Sequence, residues 1–295
     1  MDFDDFPVSP ERTVNSMEYL RAYIEASRIF SQVGQRDQPR SDRALMDLAH
    51  QIYSRDMGAE PLFRAHRDAS VAGAVVWLSK VRSIAHWAVV GGVAREFNGL
   101  DMEFLRSIPR TSSSLDGIRG LERLLLDKGI ILIHENAAPG TKVDGCVFRL
   151  PTGHVVIGMT LRYARLDHYY FTLMHELGHV VLHLSELDRP IIDDLDDVDL
   201  GGDGDGDGDG DGDGDDQDIE LEANRFARDL LIPRNEWRTS EARLSLRTED
   251  VQNFARRLRV APQIVAGRIR NERKRHDLFS AIVHQLDVRE ILANA

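Results

Sequence analysis

Cysteine is nearly absent: Cys146 is the only one in 295 residues. This excludes a disulfide within the chain and fits a reducing, cytoplasmic setting. Long apolar runs are missing as well. The best stretches, 72–78 and 88–94, fall far short of the ~20 residues a membrane span needs, so no membrane partner is expected. The opening residues, Met1-Asp2-Phe3-Asp4-Asp5, are acidic where a secretory leader is basic. Basic residues are missing from 193–218, which holds fourteen Asp and no Lys or Arg. The formal charge of −12 is therefore the property of one segment, and the rest of the chain carries +2. Within that remainder, 241–277 has ten Arg or Lys against five Asp or Glu, a local excess suited to an acidic partner or to phosphates.

What is present suffices for a sizeable core: 42% of residues are hydrophobic and 29% charged, as in folded globular chains. Helical spacing marks 17–30 and 43–53, and is clearest over 75–97. Another helix is expected over 115–128, stopped by Gly129. Ile130-Ile131-Leu132-Ile133 reads as a strand, and 146–150 with 154–159 flank Pro151-Thr152-Gly153 as a β-hairpin. The stretch 169–184 is apolar nearly all round, which implies a buried helix. Residues 201–216 alternate Asp with Gly; like charges and glycines cannot build a core, so a disordered loop is expected. A helix resumes over 219–232, stopped by Pro233, and a last helical region runs from 249 to about 286.

The chemistry concentrates in His175-Glu176-Leu177-Gly178-His179. On a helix, residues four apart lie about 40° from one another, so both imidazoles reach one metal ion. Glu176 occupies the neighbouring face, where it can deprotonate a water. A catalytic zinc takes three protein ligands, and the position a metzincin would use for its third histidine is Ser185. The third ligand must come from further along. In 219–232, Ile219, Ala223, Phe226, Ala227 and Leu230 form an apolar face. Glu220 projects within it, whereas Glu222 falls with Arg225 and Asp229. A carboxylate facing a core is costly unless paired or bound to metal, which selects Glu220. Asn224, one turn on, is placed to hold a ligand histidine by its second ring nitrogen. His183 reads as a supporting histidine rather than a ligand.

These two helices resemble the ImmA/IrrE family of metallopeptidases. That family pairs His-Glu-x-Gly-His with Glu-x-x-Ala-Asn-x-Phe-Ala-x-x-Leu-Leu-x-Pro, and here the second element reads Glu220-Leu221-Glu222-Ala223-Asn224-Arg225-Phe226-Ala227-Arg228-Asp229-Leu230-Leu231-Ile232-Pro233. The stretches Asp144-Gly145-Cys146-Val147-Phe148, Thr160-Leu161-Arg162-Tyr163 and Arg165-Leu166-Asp167 look like the branch fused to HigA-type antitoxins. The resemblance implies an α+β, zincin-like fold of the gluzincin type with helical N- and C-terminal regions. The chain is read as a peptidase domain at 71–235, with a disordered acidic insert at 193–218, between a helical region at 1–70 without assigned role and a helical, helix-turn-helix-like region at 236–295; the resemblance itself covers about residues 75–275. It also implies a protein substrate, a helix-turn-helix repressor encoded nearby, whose cleavage switches on stress, mobile-element or phage-defence genes.

In the peptidase reading, zinc is held by His175, His179 and Glu220, and Glu176 is the general base. Tyr163, His168, Tyr169 and Tyr170 are candidate donors to the oxyanion. The strand holding His154, Val155, Val156 and Ile157 is a candidate to pair with substrate backbone. Asp209 to Gly214 followed by Glu220 satisfies an EF-hand pattern, but a period-two repeat does so automatically, and calcium is not expected there. Residues 250–270 suggest a helix-turn-helix, with Ala255, Val260, Val265 and Ile269 at core spacing and Arg259 where the turn prefers Gly. A helical cap on the peptidase is the plainer reading, although Arg268, Arg270, Arg273, Lys274 and Arg275 offer contacts to nucleic acid. The competing function is a HigA-like antitoxin or transcriptional regulator with a non-catalytic zinc site; a general base at Glu176 has no use there.

Overall fold

The computed structural model describes residues 16–33, 42–54, 62–63, 71–137, 140–193 and 214–293. In chain order the elements are α1 (Ser16–Gln32), α2 (Asp42–Ser54), β1 (Leu62–Phe63), α3 (Val71–Val90), α4 (Met102–Thr111), α5 (Leu115–Arg119) and α6 (Leu121–Leu126). Then come β2 (Ile130–His134), β3 (Gly145–Arg149), β4 (Val155–Met159), α7 (Leu166–Leu182) and β5 (Ile191–Asp193). The remaining elements are helices: α8 (Gly214–Leu231), α9 (Arg234–Arg238), α10 (Glu241–Leu244), α11 (Thr248–Leu258), α12 (Pro262–Glu272), α13 (Ser280–Val283) and α14 (Val288–Ala293). The architecture is mixed α+β. Among the described residues no helix is long and apolar enough to cross a membrane.

The strands form one sheet in the order β1-β5-β3-β4-β2. The expected hairpin is present, β3 and β4 running antiparallel with Gly145 opposite Met159 and Arg149 opposite Val155. β2 joins β4 in parallel, and β5 joins β3 antiparallel. Strand side chains alternate between faces, and the two cores divide accordingly. Ile130, Leu132, Val147, Val155, Ile157 and Ile191 pack toward α7 and the C-terminal helices. Ile131, Ile133, Cys146, Phe148, Val156 and Ile192 pack against Trp77, Leu78, Val81 and Ala85 of α3. The start of α3 also contributes Ala72 and Val76 to a third cluster with Ala26 and Phe30 of α1 and Leu48 and Ala49 of α2.

Three expectations change. β4 lies between β3 and β2, so both its edges are already hydrogen-bonded. The strand carrying Val155, Val156 and Ile157, with His154 just before it, is therefore closed to a substrate strand. The acidic stretch 193–218 is not disordered at either end, since Asp193 finishes β5 and α8 begins at Gly214, earlier than Ile219. Residues 194–213, with most of the Asp-Gly repeat and the start of its EF-hand pattern, lie outside the described residues. The third change is at 75–97, where α3 ends at Val90, before Gly91-Gly92.

Trp77 is the largest side chain joining helix to sheet, 1% exposed, with its indole N–H donating to the Glu135 carbonyl at 2.8 Å. Trp77→Ala is expected to cost about 3–5 kcal/mol, read as a lower midpoint in urea unfolding of the purified chain.

Candidate metal centre

Helix α7 is apolar all round because it is covered on several sides: by β3 and β4 of the sheet, by α8 and by α12. Into this dry helix the sequence inserts His175, Glu176 and His179, each with 0% exposure. Gly178 sits where α8 crosses. A Cβ there would meet the Ala223 Cα at 3.1 Å, so small residues on both helices allow the close approach. The crossing brings Glu220 and Asn224, one turn apart on α8, onto the two histidines.

The imidazole Nε2 atoms of His175 and His179 stand 3.0 Å apart. Glu220 places Oε2 at 3.2 Å from the first and Oε1 at 3.4 Å from the second. The far side of each ring is engaged. His175 Nδ1 donates to Asn224 Oδ1 at 3.0 Å. His179 Nδ1 lies 3.1 Å from His183 Nδ1, and His183 Nε2 donates to Glu222 Oε2 at 3.1 Å. With Glu222 accepting from His183 Nε2, His183 Nδ1 is left to accept from His179 Nδ1. Both histidines thus have Nδ1 engaged from behind and turn Nε2 toward the same point.

Sequence reasoning missed one member of this group. Asp193 Oδ2 lies 3.3 Å from His175 Nε2 and 3.7 Å from His179 Nε2, and His175, His179, Asp193 and Glu220 bring their donor atoms within 4.8 Å of one another. Asp193 was counted with the acidic insert, where it is one Asp among fourteen. The preceding Ile191-Ile192 was the available signal of a short strand. Alternation then determines the rest: Ile192 turns to α3, and Asp193 turns to α7.

Glu176 lies beside the group, over β3. Neither of its carboxylate oxygens has a hydrogen-bond partner, and the space it fills exists because residue 145 is glycine: a Cβ there would stand 2.0 Å from Glu176 Oε1. Gly145 is the register partner of Asp193, so both meet Glu176 from the same sheet face. Burial pushes the Glu176 carboxyl well above its ordinary value, and the charges of Asp193, Glu220 and Asp144 add to this while His175 opposes it. For His175, burial acts to lower the pKa, but Asp193 and Glu220 outweigh it and the net is well above the usual imidazole range. Converging imidazoles, a buried Glu176 carboxylate without hydrogen-bond partners and surplus negative charge describe a place that a cation relieves. This buried group can hold a metal ion.

The other predicted residues separate. Tyr169 and Tyr170 are buried with their hydroxyls turned elsewhere, to His134 Nε2 at 3.1 Å and to Thr111 Oγ1 at 2.7 Å. His168 and Tyr163 stay near the centre: His168 Nε2 is 3.5 Å from Asp144 Oδ1, and both line a depression with Asp144 and Thr172. Tyr163 is partly exposed and packs edge-on to His168. His154 is buried at the hairpin, its Nδ1 3.0 Å from Thr152 Oγ1. The C-terminal helix pair is present, with Arg259 in the left-handed conformation between α11 and α12. Yet α12 packs on α7, and Gln263, Ile264, Val265, Ala266, Ile269 and Arg270 are buried. Arg268 donates to the Ile232 carbonyl and lies over the Trp237 ring, Arg273 donates to the Arg243 carbonyl, and Arg275 pairs with Asp277.

Residues 162–270 match the IrrE N-terminal-like domain, a peptidase family. The match covers α7, β5, α8 and the chain into α12, and so contains every residue of the metal group. It agrees with the ImmA/IrrE resemblance of the two helices and carries peptidase activity at the level of the family. No curated protein matches the chain.

The contact between Gly145 and Glu176 is open to a direct test. Gly145→Ala is expected to destabilise the chain by ~1–3 kcal/mol through overpacking, and Glu176→Ala in the same molecule is expected to restore most of the loss. Additive losses in a double-mutant cycle of unfolding free energies would show that the two residues do not press on each other.

Proposed function

We propose that the chain is a zinc-dependent metallo-endopeptidase that cleaves a helix-turn-helix repressor encoded nearby, releasing stress, mobile-element or phage-defence genes from repression. The observation that carries the peptidase reading is Glu176, a buried carboxylate without hydrogen-bond partners beside two imidazoles that point at one spot. A purely structural metal site gives such a group nothing to do. Two imidazoles and a carboxylate are a donor set that suits zinc.

In this reading His175, His179 and Glu220 hold the ion, which supplies Lewis acidity toward the scissile carbonyl and toward water. Glu176 takes the proton of the attacking water and delivers it to the leaving amine. A cation beside Glu176 would offset the burial and neighbouring carboxylates that raise its pKa. Asn224 and the His183–Glu222 pair keep the ligand rings oriented. His168 and Tyr163, which line the depression with Asp144 and Thr172, remain the candidate oxyanion donors. The repressor substrate follows from the family resemblance. The burial of α12 speaks against the competing antitoxin reading, because a helix that covers α7 cannot also lie in a DNA groove.

Incubation with the neighbouring helix-turn-helix protein is expected to yield a specific cleavage, lost on chelation and restored by zinc. Glu176→Gln is expected to keep its zinc while kcat falls by ~10²–10⁴-fold. Asn224→Ala is expected to weaken zinc binding by ~10–100-fold. A wild-type chain that cleaves nothing but retards operator DNA unaided would overturn the peptidase reading.

A further inference from the structure

A catalytic metal site keeps one coordination position open, whereas four protein ligands close it. The centre described above has four donors. Ligands ~2.0–2.2 Å from a tetrahedral ion stand about 3.3–3.6 Å from one another. The separations from His175 and His179 to Glu220 are 3.2 and 3.4 Å, and those to Asp193 are 3.3 and 3.7 Å. Asp193 therefore approaches both imidazoles about as closely as the expected third ligand does. Its Oδ2 is buried and, among the described residues, makes no hydrogen bond away from the two imidazoles. The backbone anchors it in this position: the Asp193 carbonyl accepts from Asp144 N–H at 2.8 Å, and the register sets it opposite Gly145.

From this geometry we infer that Asp193 is a fourth metal ligand, which completes the coordination shell and leaves the resting centre latent. The inference rests on the zinc-peptidase reading and adds its regulation. Water and the scissile carbonyl both need the position that Asp193 takes, so its side chain must leave before Glu176 has a water to deprotonate. The exchange is one oxygen donor for another and changes no covalent bond. Asp193 lies at the last position of β5 while Glu220 sits within a helix locked to α7 at Gly178. A turn of the Asp193 side chain alone vacates the position while its backbone stays paired with β3.

Cobalt in place of zinc makes the shell visible by its absorption bands, and acetohydroxamate reports an open position. The full-length wild-type chain loaded with cobalt is expected to keep its spectrum when acetohydroxamate is added. Asp193→Ala is expected to bind the probe at least ~10-fold more tightly, because an internal carboxylate at high effective concentration no longer competes. The variant should also surrender its metal to a chelator more readily. Asp193→Asn, nearly equal in shape, serves if the alanine variant does not fold. A wild-type spectrum that shifts on addition of the probe removes Asp193 from the shell while leaving the metallopeptidase reading intact, and this reads out even if neither variant folds. Failure of the wild-type chain to take up cobalt overturns both.

Discussion

The rest of the site is built around the 3.0 Å approach of His175 Nε2 to His179 Nε2, with the far side of each ring engaged by Asn224 and His183. Glu220, Asp193 and Glu176 surround it with carboxylates, which would be prohibitive without positive charge between them. A cation bound there would turn that repulsion into mutual attraction, which would couple metal binding to the folding of this part of the chain.

Two kinds of element deliver the groups. Helices α7 and α8 pack closely at Gly178 and Ala223, where a Cβ on residue 178 would stand 3.1 Å from the Ala223 Cα, and this packing sets Glu220 against the histidines. The sheet delivers its share through register. Gly145 and Asp193 are paired across β3 and β5, the first leaving a vacancy that Glu176 fills and the second projecting toward the imidazoles.

The C-terminal helices illustrate how one pattern serves two ends. The spacing of Ala255, Val260, Val265 and Ile269 is that of a helix-turn-helix, and the turn does form, with Arg259 left-handed. Hydrophobic spacing reports that two helices pack at an angle; it does not say which outer face stays in water. Here α12 turns its outer face to α7, and arginines that might have met phosphates are bonded to carbonyls or carboxylates within the fold.

Much of the centre was legible in the chain alone, because helical periodicity is local. Four-residue spacing joins His175 to His179, and the wheel of 219–232 separates Glu220 from Glu222 without reference to any partner. The hairpin of β3 and β4 was equally readable from its turn. What the sequence could not determine were relations across the sheet. Whether β4 is an edge depends on β2 returning beside it, a long-range pairing with no local signature. The role of Asp193 depends on the same kind of contact: among fourteen aspartates in one stretch, only the pairing of β5 with β3 distinguishes the residue that faces the histidines. Composition and helix faces thus determined the kind of chemistry, while strand register, which a single-residue slip would invert, decided how many carboxylates surround the metal.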